Sequence, residues 1–210
     1  MFKVADPEKF FTMCGALVAI ILAVGSVTSI LLYPEWSIKL NSFSDLGDYL
    51  SPSKWVFNLA CMIAGIFLSI FSFGYIRFGQ KISRIGGYAF FFVGIALFLV
   101  GFISKDFDHA FDVDLHMTFS EIFAFSFLIG ASIVCVQNII DREWKYFAPV
   151  AVCGVIVVIT WLLYLNGEVV KYGEAQLVCF FMGFVWFACQ TLRNKKYGFG
   201  AKSLNSGDGA

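Results

Sequence analysis

Long uncharged runs of apolar residues dominate the chain, and six of them are long enough to cross a membrane. Each run has 18 to 26 residues with apolar residues at consecutive positions, whereas strands of an outer-membrane barrel have roughly 10 residues in strict alternation. A helix of about 20 apolar residues spans the hydrocarbon core of a bilayer. The pattern therefore predicts an all-α polytopic membrane protein, a six-transmembrane-helix bundle with spans at about 11–33, 55–76, 86–103, 115–140, 147–165 and 175–192.

The six runs predict a single membrane domain, residues 1–198, followed by a flexible C-terminal tail, residues 199–210. The composition agrees, because 59% of the residues are apolar and 14% are charged, against roughly 25% charged in a soluble domain. The spans leave too few residues for a separate soluble catalytic domain. Lys plus Arg (15) equals Asp plus Glu (15), so no basic face is available for phosphates and no nucleic-acid partner is expected.

Lys and Arg are distributed unevenly between the two ends of the predicted bundle. With six spans both termini share one end, and that end carries eleven of these residues, Arg193 among them, against four at the opposite end. The four are Lys39, Lys54, Lys105 and Lys171. Because short cytoplasmic loops are enriched in Lys and Arg, we expect a multi-pass protein of the cell membrane with both termini in the cytoplasm.

Small residues recur at helical spacing in two of the spans. Gly87, Gly94 and Gly101 lie seven residues apart in the third span, which keeps them on one helix face. The second span carries a stripe of small or polar residues at steps of 3 or 4, namely Asn58, Cys61, Gly65, Ser69 and Ser72. Helices in lipid associate where small residues let their backbones approach. Both stripes are therefore predicted to point into the bundle.

The first outer loop has a pattern of its own. Phe43, Leu46 and Leu50 are spaced i, i+3 and i+7, which predicts a short helix that lays them on the membrane surface. Such a helix makes the loop either a lid over the outer mouth of the bundle or a spacer that rests on headgroups. Ser51 and Pro52 are predicted to be the N-cap and first residue of the second span.

Both histidines and most acidic residues lie at the predicted outer end of the helix bundle. Asp112 and His116 are four residues apart and share a face if the fourth span begins early. Together with His109 they form a candidate site for a divalent metal such as zinc, since imidazole and carboxylate are suitable ligands. The alternative is a solvated acidic loop, in which case no cofactor is expected.

Glu121 is the only formal charge between residues 115 and 140. Ionisable groups inside a membrane are costly and usually functional. If Glu121 lies at the start of the helix, however, the helix dipole and interfacial water stabilise its charge. Ser120 lies one turn after His116. His116, Ser120 and Glu121 are therefore candidate catalytic residues, although a serine in a span usually bonds to a backbone carbonyl.

The region from Pro34 to Gly65 carries a motif that resembles domain-of-unknown-function family 998, six-span membrane proteins of archaea and bacteria. The matching residues are Pro34, Asn41, Ser44-Asp45-Leu46-Gly47, Pro52, Phe57-Asn58 and Gly65, with His116 as a weaker match. The resemblance implies the six-span topology and an outer motif, and the family has no agreed activity. Outer Asp, His and Ser are also loosely similar to alkaline ceramidase and adiponectin-receptor hydrolases, but those bind zinc through three histidines and this chain has two.

These residues support a leading hypothesis and two alternatives. The leading one is binding of a membrane lipid, a small ligand or a partner membrane protein in an outer pocket, and a homo-oligomer is an alternative to the partner protein. Asp45, Asn58, His116 and Glu121 are its predicted lining. The first alternative is a metal-dependent intramembrane lipid hydrolase that uses Asp112, His116 and Glu121. The second is a proton- or ion-coupled carrier that uses Glu121.

The orientation generates a direct prediction. In a variant without the native cysteines, Ser203→Cys is expected to stay unlabelled by a membrane-impermeant maleimide in intact cells, because the positive charges hold the C-terminus inside. Lys39→Cys, at the opposite end, is the matched control and should react. Labelling of Ser203→Cys before permeabilisation would reverse the orientation.

Overall fold

The computed structural model describes residues 6–103, 114–167 and 170–200. Within these ranges the chain forms six long α-helices and a five-residue 3₁₀ helix, Phe43–Gly47, without any strand. Each long helix is long and apolar enough to cross a membrane, which confirms the predicted six-helix bundle. The helices are α1 Pro7–Leu32, α2 Lys54–Phe78, α3 Lys81–Phe102, α4 Leu115–Ile140, α5 Trp144–Leu165 and α6 Tyr172–Tyr197.

Capping side chains explain where two of the helices begin. The carboxylate of Asp6 accepts a hydrogen bond from the backbone N–H of Glu8, and Pro7 follows it at the first helical position. The carboxylate of Asp114 accepts from the backbone N–H of Met117 at the start of α4. The fourth helix thus has the predicted limits, whereas the others extend beyond their apolar runs into polar residues.

The helices pack around the bundle in chain order, and α6 also contacts α1. We call the end that carries the described termini and the α2–α3 and α4–α5 turns the terminal end, and the opposite end the loop end. The contact between α4 and α5 is the smallest of the contacts between consecutive helices. Only 11% of the most apolar window of α5 is buried, against 50% for α3, so α5 lies at the margin of the bundle.

The predicted stripes of small residues meet each other at the α2–α3 interface. A methyl group added to Gly94 would lie 2.7 Å from the backbone nitrogen of Ser69 and 2.8 Å from the carbonyl oxygen of Gly65. Added to Gly65, it would lie 2.6 Å from the carbonyl oxygen of Gly94. At Gly101 it would overlap the carbonyl oxygen of Asn58. The close approach that the spacing predicts is confirmed, and only glycine permits it.

Aromatic side chains fill the centre of the bundle. Trp186 of α6 is fully buried, with its ring 4.5 Å from that of Phe90 on α3 and 5.7 Å from that of Phe127 on α4. Phe71 of α2 contacts the same tryptophan edge to face at 6.2 Å. Edge-to-face pairs of this kind add to the packing energy of apolar area alone. One residue of α6 thus joins three other helices.

The loop between α1 and α2 packs on the bundle, whereas the sequence pattern predicts that it lies on the membrane surface. Phe43 and Leu46 are buried, and the ring of Phe43 stacks on that of Phe180 at 4.6 Å. The backbone N–H of Phe43 donates to the side chain of Gln176, 2.8 Å away. The surface-helix prediction is wrong for these two residues, because a 3₁₀ helix of one turn points both inward, while Leu50 stays 88% exposed.

The start of α2 also differs from the prediction. Helix α2 begins at Lys54 after Ser53, not at Pro52. The hydroxyl groups of Ser51 and Ser53 both donate to the carbonyl oxygen of Leu46, at 3.0 and 2.8 Å. The serine at the predicted cap therefore closes the preceding 3₁₀ turn instead of starting a helix.

Phe199 packs with the bundle although it is the first residue of the predicted tail. Its side chain is fully buried, and its ring meets the ring of Tyr75 edge to face at 4.9 Å. Its backbone N–H donates to the carboxylate of Glu8, 3.0 Å away. Residues 201–210 lie outside the described residues, so the predicted tail can begin only after this anchor.

The α2–α3 interface generates a stability prediction. Gly94→Ala places a methyl group against backbone atoms that cannot rotate away, so we expect it to destabilise the bundle by about 1–3 kcal/mol. Gly154→Ala on α5 is the matched control, because nothing lies within 4 Å of the added methyl group. Thermal unfolding in detergent measures both. Equal melting temperatures for the two variants would show that the glycine stripe does not hold the helices.

Candidate functional site

Two of the predicted loop-end residues, Asp45 and Asn58, hold the 3₁₀ helix at separate points. The carboxylate of Asp45 accepts from the backbone N–H of Ser42 at 2.7 Å, which caps the 3₁₀ helix. The amide of Asn58, buried at the start of α2, donates to the carbonyl oxygen of Gly47 at 3.0 Å. Any side chain at position 47 would overlap the Asn58 amide oxygen. The Ser-Asp-Leu-Gly motif therefore fixes the loop against α2.

His116 joins the beginning of α4 to the end of α3. Its ring is buried, and Nδ1 lies 2.8 Å from the carbonyl oxygen of Ile103. Ile103 lies two residues after Gly101, the residue that packs on the backbone of Asn58. The starts of α2 and α4 are thus both tied to the last turn of α3, which places Asn58 and His116 at the same end of the bundle.

The remaining candidate residues do not join Asn58 and His116 in a described site. The hydroxyl of Ser120 donates to the carbonyl oxygen of His116 at 2.8 Å, the backbone bond that is common for a serine in a span. Glu121 lies on the exposed face of α4. His109 and Asp112 lie outside the described residues. Among the residues that are described, no three His, Cys, Asp or Glu side chains are grouped as metal ligands, and both the four-residue pocket and the metal set stay predictions.

A second polar cluster lies at the terminal end, and sequence reasoning missed it. Arg193 of α6 is 1% exposed, yet its guanidinium forms ion pairs with Asp141, at 3.1 Å, and with Glu143. These two carboxylates flank the turn between α4 and α5. We call the polar residues around this ion pair the polar layer. They are the buried Tyr75, Asn138, Gln190, Arg193 and Asn194 and the half-buried Asp141 and Glu143.

A continuous chain of hydrogen bonds crosses the polar layer. The guanidinium of Arg193 donates to the side-chain oxygen of Asn194, 3.2 Å away. The amide of Asn194 donates to the hydroxyl of Tyr75 at 3.3 Å, and that hydroxyl donates to the side-chain oxygen of Gln190 at 3.2 Å. Because each bond fixes the direction of the next, the layer connects α2 and α6 in one arrangement.

The sequence held a signal for this layer. Gln190, Arg193 and Asn194 are spaced i, i+3 and i+4, which places them on one face of α6. The positive-inside rule instead predicts that Arg193 lies exposed at the membrane interface. A polar face near the end of an apolar helix predicts a buried network only when acidic partners are found on another helix.

A cavity of about 240 Å³ lies between the terminal-end halves of α4 and α5 and the middle of α6. It is partly open, and its walls are apolar except for the hydroxyl of Ser132. Ala151 and Gly154 are too small to fill the space between the helices. The lining residues are Ala131, Ser132, Cys135, Val136, Ile139, Phe147, Val150, Ala151, Gly154 and Met182. We call this space the lateral cavity.

Comparison with known proteins supports the resemblance seen in the outer motif. No curated protein and no solved structure is significantly similar to the chain. A family model described as "Protein of unknown function (DUF998)" matches residues 15–193, which include all six helices in whole or in large part. The match covers the Ser-Asp-Leu-Gly loop and every residue of the polar layer except Asn194. The chain therefore belongs to this family of membrane proteins of unknown function.

Proposed function

We propose that this membrane protein binds a phospholipid by inserting one acyl chain into the lateral cavity. The cavity itself supports the proposal. At about 240 Å³ it is larger than the roughly 150 Å³ apolar cavity that holds a benzene-sized molecule in a soluble protein. The lateral cavity is partly open, and a hydrocarbon chain that enters it gains dispersion contacts with the apolar lining.

The position of α5 favours entry from the side. Val152, Val155 and Ile156 of this helix are 59%, 59% and 48% exposed, so the outer face of α5 is suited to contact with lipid. A chain that enters between α4 and α5 crosses the weakest contact between consecutive helices and passes no charged residue. The ligand is therefore expected to come from the bilayer rather than from water.

The terminal-end limit of the cavity is suited to a phosphate headgroup. Ile139 and Phe147 line the cavity there, and Arg142 and Trp144 are exposed on the turn between them. Tryptophan and basic residues are typical of the headgroup level of a membrane. With the termini in the cytoplasm, the headgroup would belong to the cytoplasmic leaflet. An anionic phospholipid is the ligand that this combination of charge and apolar volume favours.

The proposal keeps the class of ligand expected from the sequence and changes its location. The sequence directed attention to an outer pocket with Asp45, Asn58, His116 and Glu121. Two of these side chains support the loop, since Asp45 caps the 3₁₀ helix and Asn58 holds Gly47. The lateral cavity offers the apolar volume that an acyl chain requires, and it lies in the opposite half of the membrane.

Filling the cavity tests the proposal. Gly154→Trp places a large side chain where the structure has open space, so we expect it to displace the acyl chain. Native mass spectrometry of the purified protein, titrated with palmitoyl-oleoyl phosphatidylglycerol, measures the bound lipid. The expected loss of affinity is roughly tenfold, which corresponds to about 1.4 kcal/mol.

Val155→Trp is the matched control, because residue 155 is the next position on α5 and faces outward. It adds the same side chain at the same depth and should leave lipid binding unchanged. Equal binding by the two variants, or no retained lipid in the unmodified protein, would contradict the proposal.

A further inference from the structure

Three fully buried side chains between the aromatic centre of the bundle and the terminal end have polar atoms without a hydrogen-bond partner among the described residues. They are Asn138, with both amide atoms, Gln190, with Nε2, and Trp186, with Nε1. Each of the three residues is 0% exposed. A buried polar group without a partner is costly, and inside a membrane-spanning bundle bulk water cannot relieve it. Groups of this kind in native proteins usually indicate a bound molecule or ordered water.

The hydrogen-bond chain of the polar layer shows what is missing. The chain runs from Arg193 through Asn194 and Tyr75 to the side-chain oxygen of Gln190, so Gln190 has only its N–H₂ group left. Trp186 lies one turn before Gln190 on the same face of α6, and an indole nitrogen can only donate. Two neighbouring donors therefore lack an acceptor.

Asn138 of α4 provides a hydrogen-bond acceptor as well as donors. Asn138 lies three residues before Asp141, as Gln190 lies three residues before Arg193 on α6, and Asp141 pairs with Arg193. The ion pair therefore places Asn138 and Gln190 at the same level of the bundle. The side-chain oxygen of Asn138 is a free acceptor among the described residues. A molecule that accepts from α6 and donates to Asn138 satisfies both helices.

The charge of the layer selects a neutral molecule. Arg193 is paired with two carboxylates, so the three groups together carry a formal charge of −1. An additional anion would be repelled. A cation would find mostly N–H donors, which are unsuitable ligands.

The layer is closed at the terminal end by Phe199. The ring of Phe199 contacts Tyr75, and the carbonyl oxygen of Gly198 lies 3.4 Å from the guanidinium of Arg193. A hydrogen bond from the backbone of Phe199 to Glu8 of α1 holds this segment in place. Towards the loop end, the rings of Phe71, Trp186 and Phe187 pack against one another.

We propose that Asn138, Gln190 and Trp186 form a binding site for a neutral oxygen-bearing molecule, water or a small hydroxyl or carbonyl solute, which Phe199 closes off from solvent. The molecule accepts hydrogen bonds from Gln190 and Trp186, and where it carries a hydroxyl it donates to Asn138. This site is separate from the lateral cavity and does not depend on lipid binding.

Whether Asn138→Leu raises or lowers the melting temperature tests whether a molecule occupies the site. If the site is empty, Asn138→Leu removes two unpaired polar atoms at similar volume and should raise the melting temperature. If a molecule is bound, the substitution breaks its hydrogen bonds, and we expect a fall of roughly 2–4 °C.

Radiolytic hydroxyl-radical footprinting in ¹⁸O-labelled water identifies the occupant. Oxidation of Trp186 in the intact protein, with no added mass in the native mass spectrum, indicates bound water. A retained mass that Asn138→Leu abolishes indicates an organic solute. Stabilisation by Asn138→Leu, with neither oxidation of Trp186 nor a retained mass, would overturn the proposal.

The closing role of Phe199 has its own variant. Glu8→Ala removes the acceptor of the Phe199 backbone N–H without making a hole in the core, and we expect faster ¹⁸O labelling of Trp186. Glu8→Gln keeps an oxygen acceptor and is the matched control. Equal labelling rates in the two variants would show that the Phe199 segment does not control access.

Discussion

A single buried guanidinium determines how the terminal end of the bundle is built. Arg193 is almost fully enclosed, and a charge in such a position must be paired closely with opposite charges and hydrogen-bond acceptors. Asp141 and Glu143 provide these on either side of the α4–α5 turn. Helices α4, α5 and α6 are consequently held together at one point, which also positions Asn194 and the hydrogen-bond chain that reaches α2.

The same constraint explains why a cavity exists beside the ion pair. Helix α5 is fixed at the α4–α5 turn and packs along α6, but its contact with α4 is small. Ala131, Ala151 and Gly154 leave space beyond the turn. Helix α4 contributes to both features, since Cys135 and Ile139 line the cavity whereas Asn138 and Asp141 belong to the polar layer. An acyl chain in the lateral cavity would therefore press on the helix that carries one wall of the polar site.

Much of the fold could be predicted from the sequence, because the length of an apolar run and the spacing of small residues within it are both read along the chain. Apolar runs define the spans, and the seven-residue glycine spacing on α3 identifies the face that meets α2. Both signals depend on residues close together in the chain. The inward direction of Phe43 instead depends on contacts with Gln176 and Phe180, which are more than 130 residues away in the chain.

The candidate site was less predictable for the same reason. Glu121 is prominent in the sequence because it is a lone charge in an apolar run, yet it lies on an exposed helix face. Arg193 looked like an ordinary cytoplasmic charge, and only its distance to the α4–α5 turn shows that it is a buried ion-pair partner. Phe199 gave no signal at all, since a lone aromatic residue after the last span is common at a membrane interface.

A double-mutant cycle between Arg193 and Glu143 tests most directly whether the ion pair holds the terminal end together. Arg193→Met and Glu143→Gln, separately and combined, can be compared by equilibrium unfolding in detergent micelles. Removing one partner of a buried pair leaves an uncompensated charge, so Arg193→Met alone should cost about 3–5 kcal/mol. The combined variant should lose less than the sum of the two single losses, with a coupling energy of about 0.5–3 kcal/mol. Losses that add to within about 0.3–0.5 kcal/mol would contradict the central role of Arg193.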